Sequence, residues 1–382
     1  MTRRADDSRS GGRIVLFGDF AETGGIQRTL AAMVPVWAAE GHTVEIVTFR
    51  GGGIFFPDEI GAVAAHHDLQ TRGRLPTLFA LWRHLRRHPA DAVLSCTHVA
   101  NSVVCALGRL PGIEARRLVS VANPYGQSAK HRHAAQRLRK FREVRRLYPW
   151  AHTVITVSDG VRRDLIDKVG LRHPDIRVIH NAVINPGILE RAQETPEHRW
   201  VDADHRPIIV SAGRLARQKD YPTLLKAFAR LRERVDARLV IFGEGEERQP
   251  LETLVRELGL ADHVALPGFV TNPYAWIARA DVFALSSAWE GFGNVIAEAL
   301  ALGRPIVATN CPGGPREILQ DGRFGTLVPV GDDLALAEAL ESTIRTGGPA
   351  YVPSEASRRF TADHTARAYL RAFGLNTGET RP

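Results

Sequence analysis

Short, unbroken apolar runs recur along the chain, each followed by a stretch whose apolar residues repeat at helical spacing. Runs without alternation fit strands buried on both faces, and the stretches between them fit helices with one apolar stripe. In the first half the runs are Arg13–Gly18, Thr43–Thr48, Ala92–Ser95, Arg117–Val121, His152–Val157 and Ile176–Ile179, with a helix from about Ile26 to Glu40 after the first. In the second half they are Pro207–Ala212, Arg238–Phe242, His263–Leu266, Asp281–Leu285, Pro305–Ala308 and Gly325–Pro329. Alternation of this kind predicts a parallel, doubly wound sheet, and it occurs twice. Between the two series, Asn185-Pro186 and the polar run Gln193–His205 carry no periodicity and read as a connection. The expected organisation is a leader over residues 1–12, an α/β domain over 13–185, a connection over 186–206, a second α/β domain over 207–352 and a C-terminal segment over 353–382. Phe360, Ala366, Tyr369 and Phe373 give that last segment one buried helical face.

In such sheets ligands gather outside the carboxyl ends of the strands, so chemistry is sought in the loops that follow them. The most informative loop is Ser286–Gly303, SSAWEGFGNVIAEALALG. A turn bracketed by Gly291 and Gly293 leads into a helix near Asn294, and it offers bare N–H groups to sugar hydroxyls or phosphate oxygens. Glu290 precedes that helix and Glu298 lies within it. Their spacing suits two separate roles, such as clamping vicinal hydroxyls, or else two acids complementing the helix N-terminus. Arg214 and Lys219 follow the first strand of the second half, and the spacing would let both cations meet one diphosphate. Two cations at the N-terminal end of a helix oppose its dipole, which favours function over a plain solvated helix start. Gly24-Gly25 open the first long helix, as an anion site or as a simple tight turn. Polar residues after the other strands are Thr97, His98, Asn101, Asn123, Tyr125, Ser158 and Asp159. Of these, Ser158 reads as a helix N-cap.

Composition narrows the field without choosing a substrate. With 44% hydrophobic and 24% charged residues, and no apolar run of spanning length, the chain reads as an ordinary globular protein whose first residues lack the apolar core of a secretion signal. Cys96, Cys105 and Cys311 are too few and too scattered for a disulfide framework or a metal site, so they read as free thiols. The formal charge of +8 favours an acidic partner. Much of it sits in Lys130–Arg146, a basic amphipathic helix with Ala134, Leu138, Phe141 and Tyr148 on its apolar stripe. Such a helix either lies on an anionic membrane or simply presents a solvated face. Gly243-Glu-Gly245 lacks the third glycine of a dinucleotide fingerprint, and no phosphate-loop lysine, zinc pattern or nucleophile elbow is present, so no cofactor or metal is expected. No nucleic-acid-binding module accompanies the charge.

Taken in order, GRLARQKDYPTLLKAF, FGEGEERQPLE, LPGFV, EGFGNVIAEALALGRPIVAT and GGPREIL resemble glycosyltransferase family 4, as do GGIQRTL, ITVSDGVRRDL and VIHNAV in the first half. The resemblance implies two Rossmann-like domains facing across a cleft, the GT-B architecture, with the C-terminal helix crossing back to the first. It implies a retaining, metal-independent enzyme that moves a hexose or N-acetylhexosamine from a nucleoside diphosphate sugar to a lipid-linked, polysaccharide or lipopolysaccharide glycan, in the cytoplasm or on the inner membrane face. Catalytic roles would fall to Glu290, Arg214 and Lys219. Donor binding would fall to Arg214, Lys219, Glu298 on the ribose, and Glu290 with Gly291, Phe292, Gly293 and Asn294 on the sugar, and Gly24 and Gly25 would approach phosphates or acceptor. Where many relatives have a histidine or arginine, this chain has Ala122, which leaves His98, Asn101 and Asn123 as acceptor-side candidates and no assigned base. An epimerase of the same architecture and an inactive nucleotide-sugar-binding scaffold are the alternatives.

Overall fold

The leucine-, isoleucine- and valine-rich runs do form buried strands, and in the computed structural model they assemble into two separate sheets. The structure describes residues 11–20, 24–50, 58–128, 134–185, 187–198, 200 and 206–376. The expected leader and the Lys130 end of the basic helix therefore lie largely outside the described residues. The chain divides into two compact units: Met1–Val183 with Phe360–Pro382, and Ile184–Arg359.

The first unit is built on β1 (Arg13–Phe17), β2 (Thr43–Thr48), β3 (Ala64–Asp68), β4 (Ala92–Ser95), β5 (Arg116–Val121), β6 (Thr153–Thr156) and β7 (Ile176–Val178). They form one sheet in the order β3-β2-β1-β4-β5-β6-β7, and each described pairing is parallel. β3 has no counterpart in the sequence reading, because its residues AAHHD form a largely exposed edge with no apolar run to announce it. On one face, Trp37 of the helix Gly25–Ala39 meets Tyr369 and Phe373 of the helix Ala362–Phe373 edge-on, at 6.2 and 5.6 Å between ring centroids. The Trp37 indole also donates to the Ala366 carbonyl, 3.0 Å away. The helix Ala362–Phe373 is thus part of the first unit's core.

The second unit carries β8 (Ile208–Ala212), β9 (Arg238–Phe242), β10 (Val264–Gly268), β11 (Val282–Leu285), β12 (Ile306–Thr309) and β13 (Thr326–Val328) in the order β10-β9-β8-β11-β12-β13. Two expectations change here. Part of the supposed connection packs onto this unit: Ile188 and Trp200 are buried, His198 and Trp276 meet edge-on, and Arg279 donates to the Glu194 carbonyl at 2.7 Å. The C-terminal segment is also not one helix. It runs as Pro353–Ser357, a turn of 3₁₀ helix at Arg358–Phe360, and Ala362–Phe373 capped by Thr361, whose hydroxyl accepts the His364 N–H. The extended backbone at Thr361 ends one helix and starts the next, and the chain changes unit at that break.

Candidate active site

In the second unit the strand order reverses between β8 and β11, and an open parallel sheet binds ligands at the carboxyl end of such a reversal. The loops leaving those two strands carry Lys219 and Glu290. The Lys219 ammonium donates to Oε1 of Glu290 at 2.6 Å, with only 15% and 7% of the two side chains exposed. Ser287 donates its hydroxyl to the same oxygen at 2.6 Å, and Gln218 reaches Oε2 at 3.4 Å. Neither Ser287 nor Gln218 is found by motif reasoning. Their only sequence signal is proximity, Ser287 lying three residues before Glu290 and Gln218 adjoining Lys219.

The backbone laces the same loops together. Ser286 Oγ donates to the Lys219 carbonyl at 2.8 Å, the Ala288 N–H to the Gln218 carbonyl at 2.8 Å, and Thr309 Oγ1 to the Ser287 carbonyl at 2.6 Å. The Glu290 N–H donates to the Pro312 carbonyl at 2.9 Å, which brings in the loop after β12. Gly313, at φ +131°, lies so close that a Cβ there would stand 2.0 Å from the Glu290 carbonyl oxygen, and one on Gly314 would stand 2.1 Å from that of Phe292. These glycines are required by loop packing against the Glu290 turn. Gly243 is required in the same way, since a Cβ there would stand 2.0 Å from the Gly213 carbonyl oxygen.

The remaining donor-side candidates occupy different surroundings. Gly291, Phe292 and Gly293 are buried in the turn, and Gly293, at φ +100°, caps the helix Asn294–Ala301. Asn294 is half-buried at the helix start, and Glu298 is buried within that helix. Arg214 does not join the Lys219–Glu290 pair. Its side chain is 74% exposed, and its guanidinium lies 3.1 Å from Glu246 on the loop after β9.

In the first unit, Gly24 is the extended N-cap of the helix Gly25–Ala39, and Gly25 is exposed in its first turn. That helix has no acidic residue in its first turn. His98 begins the helix His98–Leu107 and sits 3.7 Å from Glu143, with Tyr125 edge-on to its ring. Glu143 also accepts from Arg74 at 2.6 Å and from Ser102. Burial alone would raise the Glu143 carboxyl, but the hydrogen bonds from His98, Arg74 and Ser102 outweigh it and hold it at about 2. Asn123 is exposed just past β5. Asn101 is fully buried, accepting from Ser95 and donating to the Ser120 carbonyl and Tyr148 at 2.8, 2.8 and 3.3 Å, so it ties β4 to β5 and is closed to a ligand. Ser158 caps its helix by accepting the Val161 N–H at 3.2 Å. Burial pushes the Cys96 and Cys311 thiols up to about 12. Among the described residues, no three His, Cys, Asp or Glu side chains are placed to share a metal ion.

Two family models match successive parts of the chain: "Glycosyltransferase Family 4" over residues 23–184 and "Glycosyl transferases group 1" over 194–360. The chain belongs to glycosyltransferase family 4. It is 34% identical over 198 residues to the N-acetylgalactosamine-N,N'-diacetylbacillosaminyl-diphospho-undecaprenol 4-alpha-N-acetylgalactosaminyltransferase of Campylobacter jejuni, a match covering 52% of each chain. It is 37% identical over 138 residues to the lipopolysaccharide core biosynthesis glycosyltransferase LpsE of Rhizobium meliloti, covering 36% of this chain and 39% of that one. The matches thus span about half, or less, of the length of these relatives. In fold it is similar to HepE of Anabaena in complex with UDP and glucose, with a TM-score of 0.73 at 20% identity over 95% of this chain and 99% of the other. The family 4 chain therefore has the GT-B fold, two α/β domains each built on a parallel sheet.

Proposed function

We propose that this family 4 chain is a retaining glycosyltransferase that moves a hexose or N-acetylhexosamine from a nucleoside diphosphate sugar to a lipid-linked, polysaccharide or lipopolysaccharide glycan. The observation that carries the reading is the Lys219–Glu290 contact at the strand-order reversal, 2.6 Å across two loops. It gathers a cation for a departing diphosphate and a carboxylate for sugar hydroxyls at one point. Arg214 would add a second cation by exchanging Glu246 for phosphate oxygens, and Glu298 would take the ribose hydroxyls. The acceptor hydroxyl attacks the anomeric carbon as the bond to the diphosphate breaks, and its proton passes to a phosphate oxygen of the leaving group. Attack on the face the diphosphate vacates keeps the anomeric configuration. No metal is assigned to the reaction. The Campylobacter relative is named for transfer of N-acetylgalactosamine to a diphospho-undecaprenol glycan, and HepE structures contain UDP and UDP-glucose. The HepE structures support a UDP-linked donor and the Campylobacter relative a lipid-linked acceptor, which would bring the enzyme to the cytoplasmic side of a membrane.

The test is a panel of UDP-, GDP- and ADP-linked hexoses and N-acetylhexosamines with lipid-linked glycan acceptors, scored for nucleoside diphosphate release and for the anomer formed. Acceptor-dependent release with retention is expected, and Glu290→Ala should lower the rate by roughly a hundredfold or more. Interconversion of the free donor without acceptor would point instead to an epimerase. Folded protein that binds a donor in a calorimeter but releases no nucleoside diphosphate with any acceptor would leave the inactive nucleotide-sugar-binding scaffold.

A further inference from the structure

We infer that Arg359 is a positioning residue for the donor turn Glu290–Gly293, which it braces through the helix Pro315–Ile318 from the point where the chain leaves the second unit. The last carbonyls of a helix have no partner within it. Here the Arg359 guanidinium supplies one, Nη2 donating to the Glu317 and Ile318 carbonyls at 2.8 and 2.9 Å. Arg359 is half-buried and is the last residue of the second unit, followed at once by the fully buried Phe360.

The helix held in this way is the one that shapes the turn. Its leading glycines, Gly313 and Gly314, lie against the Glu290 and Phe292 carbonyls with no room for a Cβ. Ile318, fully buried, reaches the turn from the other end of the helix, since a Cβ on Gly293 would stand 3.8 Å from its Cδ1. The segment just before Arg359 braces the far side of the turn: Pro353–Ser357 packs on the helix Asn294–Ala301, which Gly293 caps. Both helices beside the turn are thus held by one stretch of chain, residues 353–359. One residue on, the Phe360 carbonyl accepts the Val183 N–H at 2.9 Å, which joins the outgoing passage between units to the incoming one. Apolar packing of Ile318 is non-directional and would let the helix rock, whereas hydrogen bonds to two consecutive carbonyls fix its orientation. The inference rests on the transferase reading for what the turn does, but not for the brace itself.

The experiment compares Arg359→Met, which keeps an aliphatic stem but loses both bonds, with Arg359→Lys and with Arg323→Gln, a surface control whose ion pair with Glu355 is exposed. Amide hydrogen exchange is followed in the full chain without ligand, well below the melting temperature. Arg359→Met should speed exchange of the Glu290 amide, bonded to the Pro312 carbonyl, and of the Ile318 amide, bonded to the Gly314 carbonyl, about tenfold or more, while β8 and β9 stay protected. With the preferred donor and acceptor, kcat should fall roughly tenfold or more at an unchanged acceptor KM. Arg359→Lys, whose ammonium can still reach a carbonyl, should fall between, and it stands in where Arg359→Met fails to fold. Arg323→Gln should match the wild type. Unchanged exchange at Glu290, uniform acceleration across the second unit, or wild-type kcat in a loosened Arg359→Met overturns the inference. Faster exchange confined to the turn, in a protein whose wild type turns over no donor, upholds the brace and sinks the transferase reading instead.

Discussion

Replacing Lys219 with Met and Glu290 with Gln, singly and together, measures the contact on which the candidate site is built. At 2.6 Å and an effective dielectric of about 20, the gross attraction is about 6 kcal/mol. Desolvation of two largely buried charges consumes part of it, so a net coupling of about 2–4 kcal/mol is expected. Lys219→Met leaves the Glu290 carboxylate with only the Ser287 hydroxyl and the more distant Gln218 amide, and should cost about 3 kcal/mol of second-unit stability. Glu290→Gln keeps the shape but leaves a buried ammonium facing an amide, at a similar cost. The double variant removes both charges and should cost far less than the sum. Urea unfolding of the four proteins, followed by a signal from the second unit, gives the coupling directly. Costs that add to within about 0.5 kcal/mol would mean that the pair contributes nothing and that the electrostatic account of the site is wrong.

Gly313→Ala should abolish donor binding and lower the second unit's melting temperature, because its Cβ would stand 2.0 Å from the Glu290 carbonyl at a φ of +131°; calorimetry with the preferred donor reads both, and wild-type affinity would refute the packing role. Glu143 is held at about 2 in the folded chain against an ordinary 4.5. Its contribution is therefore complete above pH 4.5 and is lost as pH falls towards 2. The acid limb of first-unit stability should flatten in Glu143→Gln, and an unchanged limb would refute the assignment. Phe373→Ala should cost about 3–5 kcal/mol in the unfolding of the first unit and leave that of the second in place, as differential scanning calorimetry would show.

Strand positions were legible because a strand buried on both faces is largely apolar, as in β4, β9, β11 and β12, whose residues are all buried, and twelve of the thirteen described strands fall on the runs named from the sequence. β3 was not legible, since an edge strand needs only backbone pairing with β2 and AAHHD buries little. The helical piece Gly187–Arg191 and the burial of Trp200 were missed for a related reason. Arg191 and His198 find Asn272 and Trp276 about eighty residues away and Trp200 finds Arg238, 38 residues away, and isolated apolar residues have no period to read. The same limit hid Gln218, whose contact with Glu290 spans 72 residues. Glycine spacing drew attention to these loops, but not to the reason for the glycines, because Gly243 and Gly313 make room for neighbouring backbone.

Arg214 and Lys219 show where reasoning from local cost stops. The sequence puts both near the start of one helix, whose dipole would ask each for a compensating anion, but that helix begins at Tyr221, two residues after Lys219 and seven after Arg214. The structure supplies two different ones. Lys219 is drawn inward because Gly213 leaves space for its stem, where a Cβ would stand 2.7 Å from Lys219 Cε, and because the turn at Asp220, with φ at +46°, ends the loop beside Ser286. Arg214, five residues earlier, is left at the surface with Glu246. An exposed pair of that kind is worth about 0–1 kcal/mol, so phosphate oxygens could displace Glu246 at little cost. Displacing Glu290 from Lys219 would forfeit the larger coupling, unless the bound donor keeps carboxylate, ammonium and phosphate together. Two cations ahead of a helix start thus mark a loop that needs anions, and burial decides which cation can be surrendered to a ligand and which must share one.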